Sequence, residues 1–274
     1  MDGTYSHRKQ EVITVTERTG TGDPLQSIAL LWRTNPRTGR SSLTLDAIVE
    51  AAIAVATEAG IDKLSMRRIA ERVGVGVMSL YQRVPGKGEL IDLMVDHVNG
   101  GVYDTATRPD ATNGWRPAVE EIAARNWELF AQHPWLLGID TTRPPLGPGT
   151  TAKYDLELTP LVGTGLSDVE IDQVLALVLD HVKAASRVSL GVAETTEATG
   201  SDDHDWWTTA GPLLAALIDD KRFPHASRIG AAAGAQYDSA VDGELQFDFG
   251  LRMILDGVEK LIASKQDASQ HRLG

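Results

Sequence analysis

The 274-residue chain contains no cysteine. That excludes disulfide scaffolds, Cys-based zinc sites, iron–sulfur clusters and thiol nucleophiles, and it fits a reducing compartment. Residues Met1–Gln10 are polar and lack an apolar h-region, so a secretory signal is not expected. No apolar run is longer than Val174–Leu179, far short of the roughly 20 residues of a membrane span. A Gly-rich phosphate loop, a nucleophile elbow and paired catalytic carboxylates are also missing. The expectation is a cytoplasmic protein that is not an enzyme, with no cofactor, metal or membrane partner.

The chain also lacks an excess of positive charge. Lys and Arg total 26 against 38 Asp and Glu, a formal net charge of −12. Taken whole, this argues against nucleic acid, whose phosphates call for basic side chains. The distribution reverses that reading. Residues 1–100 carry 12 basic and 12 acidic side chains, so the whole deficit lies in residues 101–274. Within residues 33–87, nine basic side chains face five acids, a local net of +4. A neutral-to-basic front and an acidic back point to two parts with different partners.

What is present is helical periodicity, and the fold class expected is all-α. Residues 1–22 show no period and read as a mobile tail. Asp23-Pro24 then supplies a cap and a first-turn proline, with Leu25, Ile28, Ala29 and Trp32 as an apolar stripe. Thr44 opens a helix carrying Leu45, Ile48, Val49, Ala52 and Ala56, closed by Gly60. Ser65 caps a short helix ended by Gly74. Another begins near Gly76 and breaks at Pro85-Gly86. A fourth carries Leu90, Ile91, Met94, Val95 and Val98. The three parts expected are an extension with a short helix (1–40), a first helical part (41–100) and a second helical part (101–274).

In the second part, Val119, Ile122, Ala123, Trp127 and Phe130 repeat at helical spacing until His133-Pro134. Arg143–Gly149 reads as a stiff loop, and Thr150–Val162 as helical. Ser167-Asp-Val-Glu170 is a capping box opening a strongly apolar helix. Ala193–Asp205 reads as a mobile loop, Trp206–Ile218 as a helix, Gly230–Gly243 as a loop and Glu244–Ser264 as a last helix. The long helix from Ser167 and the last helix are apolar over more than one face, as a homodimer interface requires, and Ala184, Ala185 and Gly257 permit close crossing.

Residues 65–84 hold the strongest signal. Two short helices crossing steeply need a small residue at the crossing, a glycine in the turn and an apolar lock. Ala70, Gly74, and Ile69, Val73, Val75, Leu80 and Val84 meet those needs. The spacing is that of a helix-turn-helix, although a plain helical hairpin in an all-α core shows the same pattern. Val77, Met78 and Ser79 lead the second helix, where groove-facing residues sit, and Tyr81, Arg83 and Lys87 flank it. Arg67 is placed to reach a guanine edge. The run Arg33–Arg40, with three arginines and no acid, is either a solvated linker or an arm reaching DNA.

The stretch Leu64-Ser-Met-Arg-Arg-Ile-Ala-Glu-Arg-Val-Gly-Val-Gly-Val-Met-Ser-Leu-Tyr81, followed by Val-Pro-Gly-Lys-Gly-Glu-Leu90, resembles the DNA-binding domain of the TetR (tetracycline repressor) family. His133-Pro-Trp135, Gly165-Leu-Ser167 and Phe249-Gly-Leu-x-x-Ile-Leu-Asp-Gly257 are similar to its tetracycline-repressor-type C-terminal domain. The resemblance implies a homodimeric repressor that binds a palindromic double-stranded operator and is released by a small-molecule effector. It implies base reading by Arg67, Val77, Met78 and Ser79, and phosphate contacts by Thr44, Tyr81, Lys87 and Arg40. Because Val77 and Met78 are apolar, thymine methyls or DNA shape must carry part of the reading. The effector pocket expected draws on Trp127, Phe130, Trp135, Leu136, Tyr154, His181 and Trp206, each of which also fits ordinary core packing. Two other readings are weighed: an enzyme using Asp202-Asp-His-Asp205 as a metal site, and a helical module that binds a small molecule or a protein without DNA.

Overall fold

A computed structural model describes residues 17–34 and 43–271. Among the described residues the regular structure is eleven α-helices, four short 3₁₀ helices and one two-residue parallel strand pair. One compact unit comprises the chain up to Gly101 together with Gly138–Ala152. The other comprises Val102–Leu137 together with the chain from Lys153 onward.

The first unit holds α1 (Pro24–Leu31), α2 (Leu45–Ala59), α3 (Met66–Arg72), α4 (Val77–Tyr81) and α5 (Lys87–Gly100). The caps read from the sequence form. Asp23, Thr44 and Ser65 accept hydrogen bonds from the amides of Gln26, Ala47 and Arg68. Gly74 takes the positive φ of +70° that turns α3 into α4. Ile48, Ala52, Ile69, Ala70, Leu80, Val84, Leu90 and Met94 are almost wholly buried; α5 packs against α1 and α2, and α3 against α2 and α4.

Residues 17–22 are not the mobile tail expected. Glu17–Arg18 forms β1, which pairs in parallel with β2 (Ile139–Asp140). Thr19 is buried, its amide and hydroxyl bonded to the carbonyls of Asp140 and Arg143. The physical reason lies on α5. Glu89, Asp92 and Asp96 share one helical face and are buried, and each accepts backbone N–H groups: Asp23 to Glu89, Gly20 to Asp92, and Gly149 and Thr150 to Asp96. Burial pushes the Asp92 carboxyl up, while the Gly20 amide and the Ser27 hydroxyl oppose the shift. These polar anchors also choose the face of α1. Ser27 and Leu31 are buried, whereas Leu25 is 81% exposed, so the expected apolar stripe is not the packed one.

The second unit contains α6 (Trp115–Gln132), most of α7 (Pro148–Leu158), α8 (Asp168–Thr199), α9 (Asp203–Leu217), α10 (Pro224–Tyr237) and α11 (Gly243–His271). Its core joins Val119 and Ala123 of α6, Ile171, Val174, Val178 and Val182 of α8, and Leu251, Leu255, Val258 and Ile262 of α11. The Ser167–Glu170 capping box is complete. Two expected loops are helical. α8 continues through Ala193–Thr199, where the hydroxyls of Thr195, Thr196 and Thr199 bond back to carbonyls four residues earlier, and it stops at left-handed Gly200. Residues 230–237 complete α10. Pro224 starts this Ala-rich helix, and Gly234 leaves the space that Trp207 fills, where a Cβ would lie 2.4 Å from the indole.

Candidate DNA interface and effector site

The outward face of α3–α4 is the candidate interface. Ile69, Leu80 and Val84 are fully buried, with Val73 and Val75 half-buried, so the helix pair is locked from behind. The Val75 amide bonds to the Ala70 carbonyl at 3.0 Å across the turn. On the other side Met78 is 75% exposed, Ser79 and Tyr81 are exposed, and Val77 is half-buried. The Arg67 side chain is 82% exposed and salt-bridged to Glu71 one turn on, at 2.9 Å. α4 is a five-residue helix that opens at Gly76, so Met78 and Ser79 stand in its leading turn.

Charge on this unit is less available than its net suggests. Arg72 holds Glu58 through two 2.7 Å bonds, tying α3 to α2. Arg33 pairs with Asp46, and Lys63 with Asp62. Thr44 acts as the cap of α2, and Lys87 is ion-paired with Glu17. Arg40 lies outside the described residues. The sequence reading missed Glu17 altogether. The signal available was spacing: an acid just before Thr-Gly-Thr-Gly, opposite a helix with acids at 89, 92 and 96.

In the second unit, aromatic side chains gather where α6, α8 and α11 meet. Trp127 packs on Phe247 with ring centroids 4.8 Å apart. His181 stacks on Phe247 at 6.3 Å and its Nε2 lies 2.9 Å from the Phe247 carbonyl oxygen. Phe130 flanks the same core. Phe247, not among the expected pocket residues, thus joins two that were. Trp135 and Leu136 are buried, and Trp135 Nε1 has no hydrogen-bond partner among the described residues; neither has the buried Ser186 Oγ.

Two expected pocket residues do not join this group. Tyr154 is 45% exposed and donates its hydroxyl to Asp172 at 2.7 Å. Trp206 is 54% exposed and lies beside Trp207 on α9, a helix without a buried residue of its own. Asp202 caps α9, and His204 pairs with Asp238 at 2.8 Å, so these residues of the Asp202–Asp205 run serve local structure.

A separate buried polar network was also missed. Glu157, 1% exposed, accepts from Tyr103 Oη at 2.8 Å, Asn126 Nδ2 at 2.7 Å and Lys153 Nζ at 2.8 Å. Burial and the neighbouring Glu157 carboxylate push the Tyr103 phenol far up. With every member satisfied, the cluster joins α6 to α7.

Residues 48–94 match the model for bacterial regulatory proteins of the tetR family, and residues 108–262 match the tetracyclin repressor-like C-terminal domain. The chain is 38% identical over 258 residues to the HTH-type transcriptional repressor DrrR1 of Streptomyces coeruleorubidus, covering 93% of this chain and 92% of that one. Apo ActR of Streptomyces coelicolor superposes with a TM-score of 0.66 at 27% identity, covering 84% of this chain and 100% of ActR. ActR in complex with actinorhodin gives 0.64 at 26%, covering 81% and 99%. Together with the locked α3–α4 pair and the α8–α11 body, these matches identify the chain as a member of the TetR family of bacterial transcriptional regulators.

Proposed function

We propose that the chain is a ligand-responsive, homodimeric repressor, cytoplasmic and without catalytic activity, that binds a palindromic operator and leaves it when a small molecule enters the helical second unit. The observation that carries this reading is the α3–α4 pair, with Ile69, Leu80 and Val84 inward and Arg67, Met78, Ser79 and Tyr81 outward. Arg67 and the leading residues of α4 read bases; Thr44, Tyr81, Lys87 and Arg40 contact phosphates. Among the described residues no helix is long and apolar enough to cross a membrane.

The effector class proposed is a planar aromatic compound. Trp127, Phe247 and His181 supply stacking surfaces where α6, α8 and α11 meet. The solved complex of ActR with actinorhodin supports that class. The test is a gel shift with DNA upstream of the protein's own gene, titrated with actinorhodin. Release of the DNA by the pigment is expected, and retention at saturating pigment with unquenched tryptophan fluorescence removes this effector class.

A further inference from the structure

Lys87, the first residue of α5, does not stand open to a phosphate. Its ammonium is ion-paired with the carboxylate of Glu17 on β1, and the two side chains are 31% and 21% exposed. Exposed pairs between flexible side chains are commonly worth little. This one is different because the backbone carrying Glu17 is fixed on both sides of the chain.

On one side β1 pairs with Ile139–Asp140, and Thr19 reaches the Asp140 and Arg143 carbonyls at 3.1 and 2.7 Å. On the other side the Gly20 and Asp23 amides bond to Asp92 and Glu89 at 2.8 and 3.1 Å. The fit is tight: a Cβ on Gly22 would lie 2.4 Å from Glu89 Oε1, and one on Gly88 would lie 2.6 Å from the Thr21 hydroxyl. The residue after Lys87 is therefore in contact with the strap that delivers Glu17. A carboxylate held in this way is a preorganised partner, and a phosphate approaching Lys87 must displace it or endure it as a like charge.

We propose that Glu17 is an intramolecular competitor for the phosphate site at Lys87, setting the DNA affinity below what the helix-turn-helix alone provides. The inference rests on the reading of Lys87 as a phosphate contact, and the experiment separates the two. Full-length wild-type protein, E17Q, K87A and the double variant are titrated by fluorescence anisotropy against operator DNA and a scrambled duplex over a range of salt concentrations. Circular dichroism verifies that each variant is folded. E17Q is expected to bind both duplexes about threefold or more tightly, with the salt slope steeper by about 0.9, the value for one more neutralised phosphate. In the K87A background the Glu17 substitution is expected to change nothing. K87A weakening binding while E17Q leaves affinity and slope unaltered overturns the competition and keeps the phosphate contact. Unaltered binding when K87A is added to the E17Q background overturns both. E17A, which also removes the hydrogen-bonding group, is expected to behave as E17Q; weaker binding by both variants would make Glu17 a positioning residue for Lys87 and overturn the proposal.

Discussion

Gly250 of α11 faces the imidazole of His181 on α8 so closely that a Cβ there would lie 2.1 Å from Cε1. The ring has little freedom to retreat, since it is bonded to the Phe247 carbonyl and stacked on the Phe247 ring. Glycine at 250 is therefore what lets the last helix cross α8 at the aromatic cluster. Gly257, the position expected to permit close crossing, meets nothing within 4 Å of a Cβ inside the chain.

Replacing Gly250 by Ala should reveal that constraint. Alanine favours the helix by up to about 1 kcal/mol over glycine, whereas overpacking costs about 1–3 kcal/mol. Net destabilisation is expected in urea melts, together with a disturbed His181 signal in NMR. Gain of stability would show that the ring yields freely.

Arg67→Ala should change which operators bind, rather than weaken all of them alike. A bidentate contact to guanine is worth about 1–3 kcal/mol of discrimination. Selection from a randomised duplex library reads this directly. A uniform loss with unaltered preference removes Arg67 from the base-reading set and leaves it as a partner of Glu71.

Leu245, Phe249 and Met253 recur every fourth residue on α11 and are 39%, 55% and 48% exposed, while Leu251, Leu255, Val258 and Ile262 fill the core. Leu177 of α8 is likewise 53% exposed. An apolar stripe of this kind is what a second copy covers. Phe249→Glu is expected to give a folded monomer in analytical ultracentrifugation that has lost operator binding. A dimer with unchanged affinity would place the interface elsewhere.

The cap of α8 carries a pH signature. Lys265, 2.6 Å away, together with the Ser167 amide and hydroxyl, holds the Glu170 carboxyl down at about 2. A carboxyl lowered in the folded state stabilises above its ordinary range and loses that contribution as pH falls through the folded value. Melting temperatures of wild type and Glu170→Gln should therefore differ most at neutral pH and converge between about pH 4.5 and 2. A gap that stays constant over that range would rule out the ionised cap as its source.

The helices of the first unit were legible because local chemistry marks their ends: Asp23, Thr44 and Ser65 before, Gly60 and Gly74 after. The α3–α4 lock was legible too, since Ile69, Leu80 and Val84 sit at fixed spacing. What stayed hidden depends on partners distant in sequence. The strap at residues 17–23 has no hydrophobic period; it is ordered by carboxylates about 70 residues away on α5. Glu89, Asp92 and Asp96 are charged residues that no apolar period marks as inward, yet they are buried. The loops expected at 193–199 and 230–237 were misjudged because Thr and Gly were counted as breakers, although Thr hydroxyls can bond back along the helix and Gly234 seats Trp207. Tyr154 and Trp206 were grouped with the pocket because their helices were expected to surround a cavity; both are exposed in the single chain.

The most direct measurement of DNA recognition by the α3–α4 pair is anisotropy with a labelled duplex from upstream of the protein's own gene, competed by its scrambled counterpart at fixed salt. Saturation at two chains per duplex is expected, with affinity at least about 10³-fold above the scrambled sequence. Equal affinity for the two duplexes at every salt concentration would contradict sequence-specific repression by this chain.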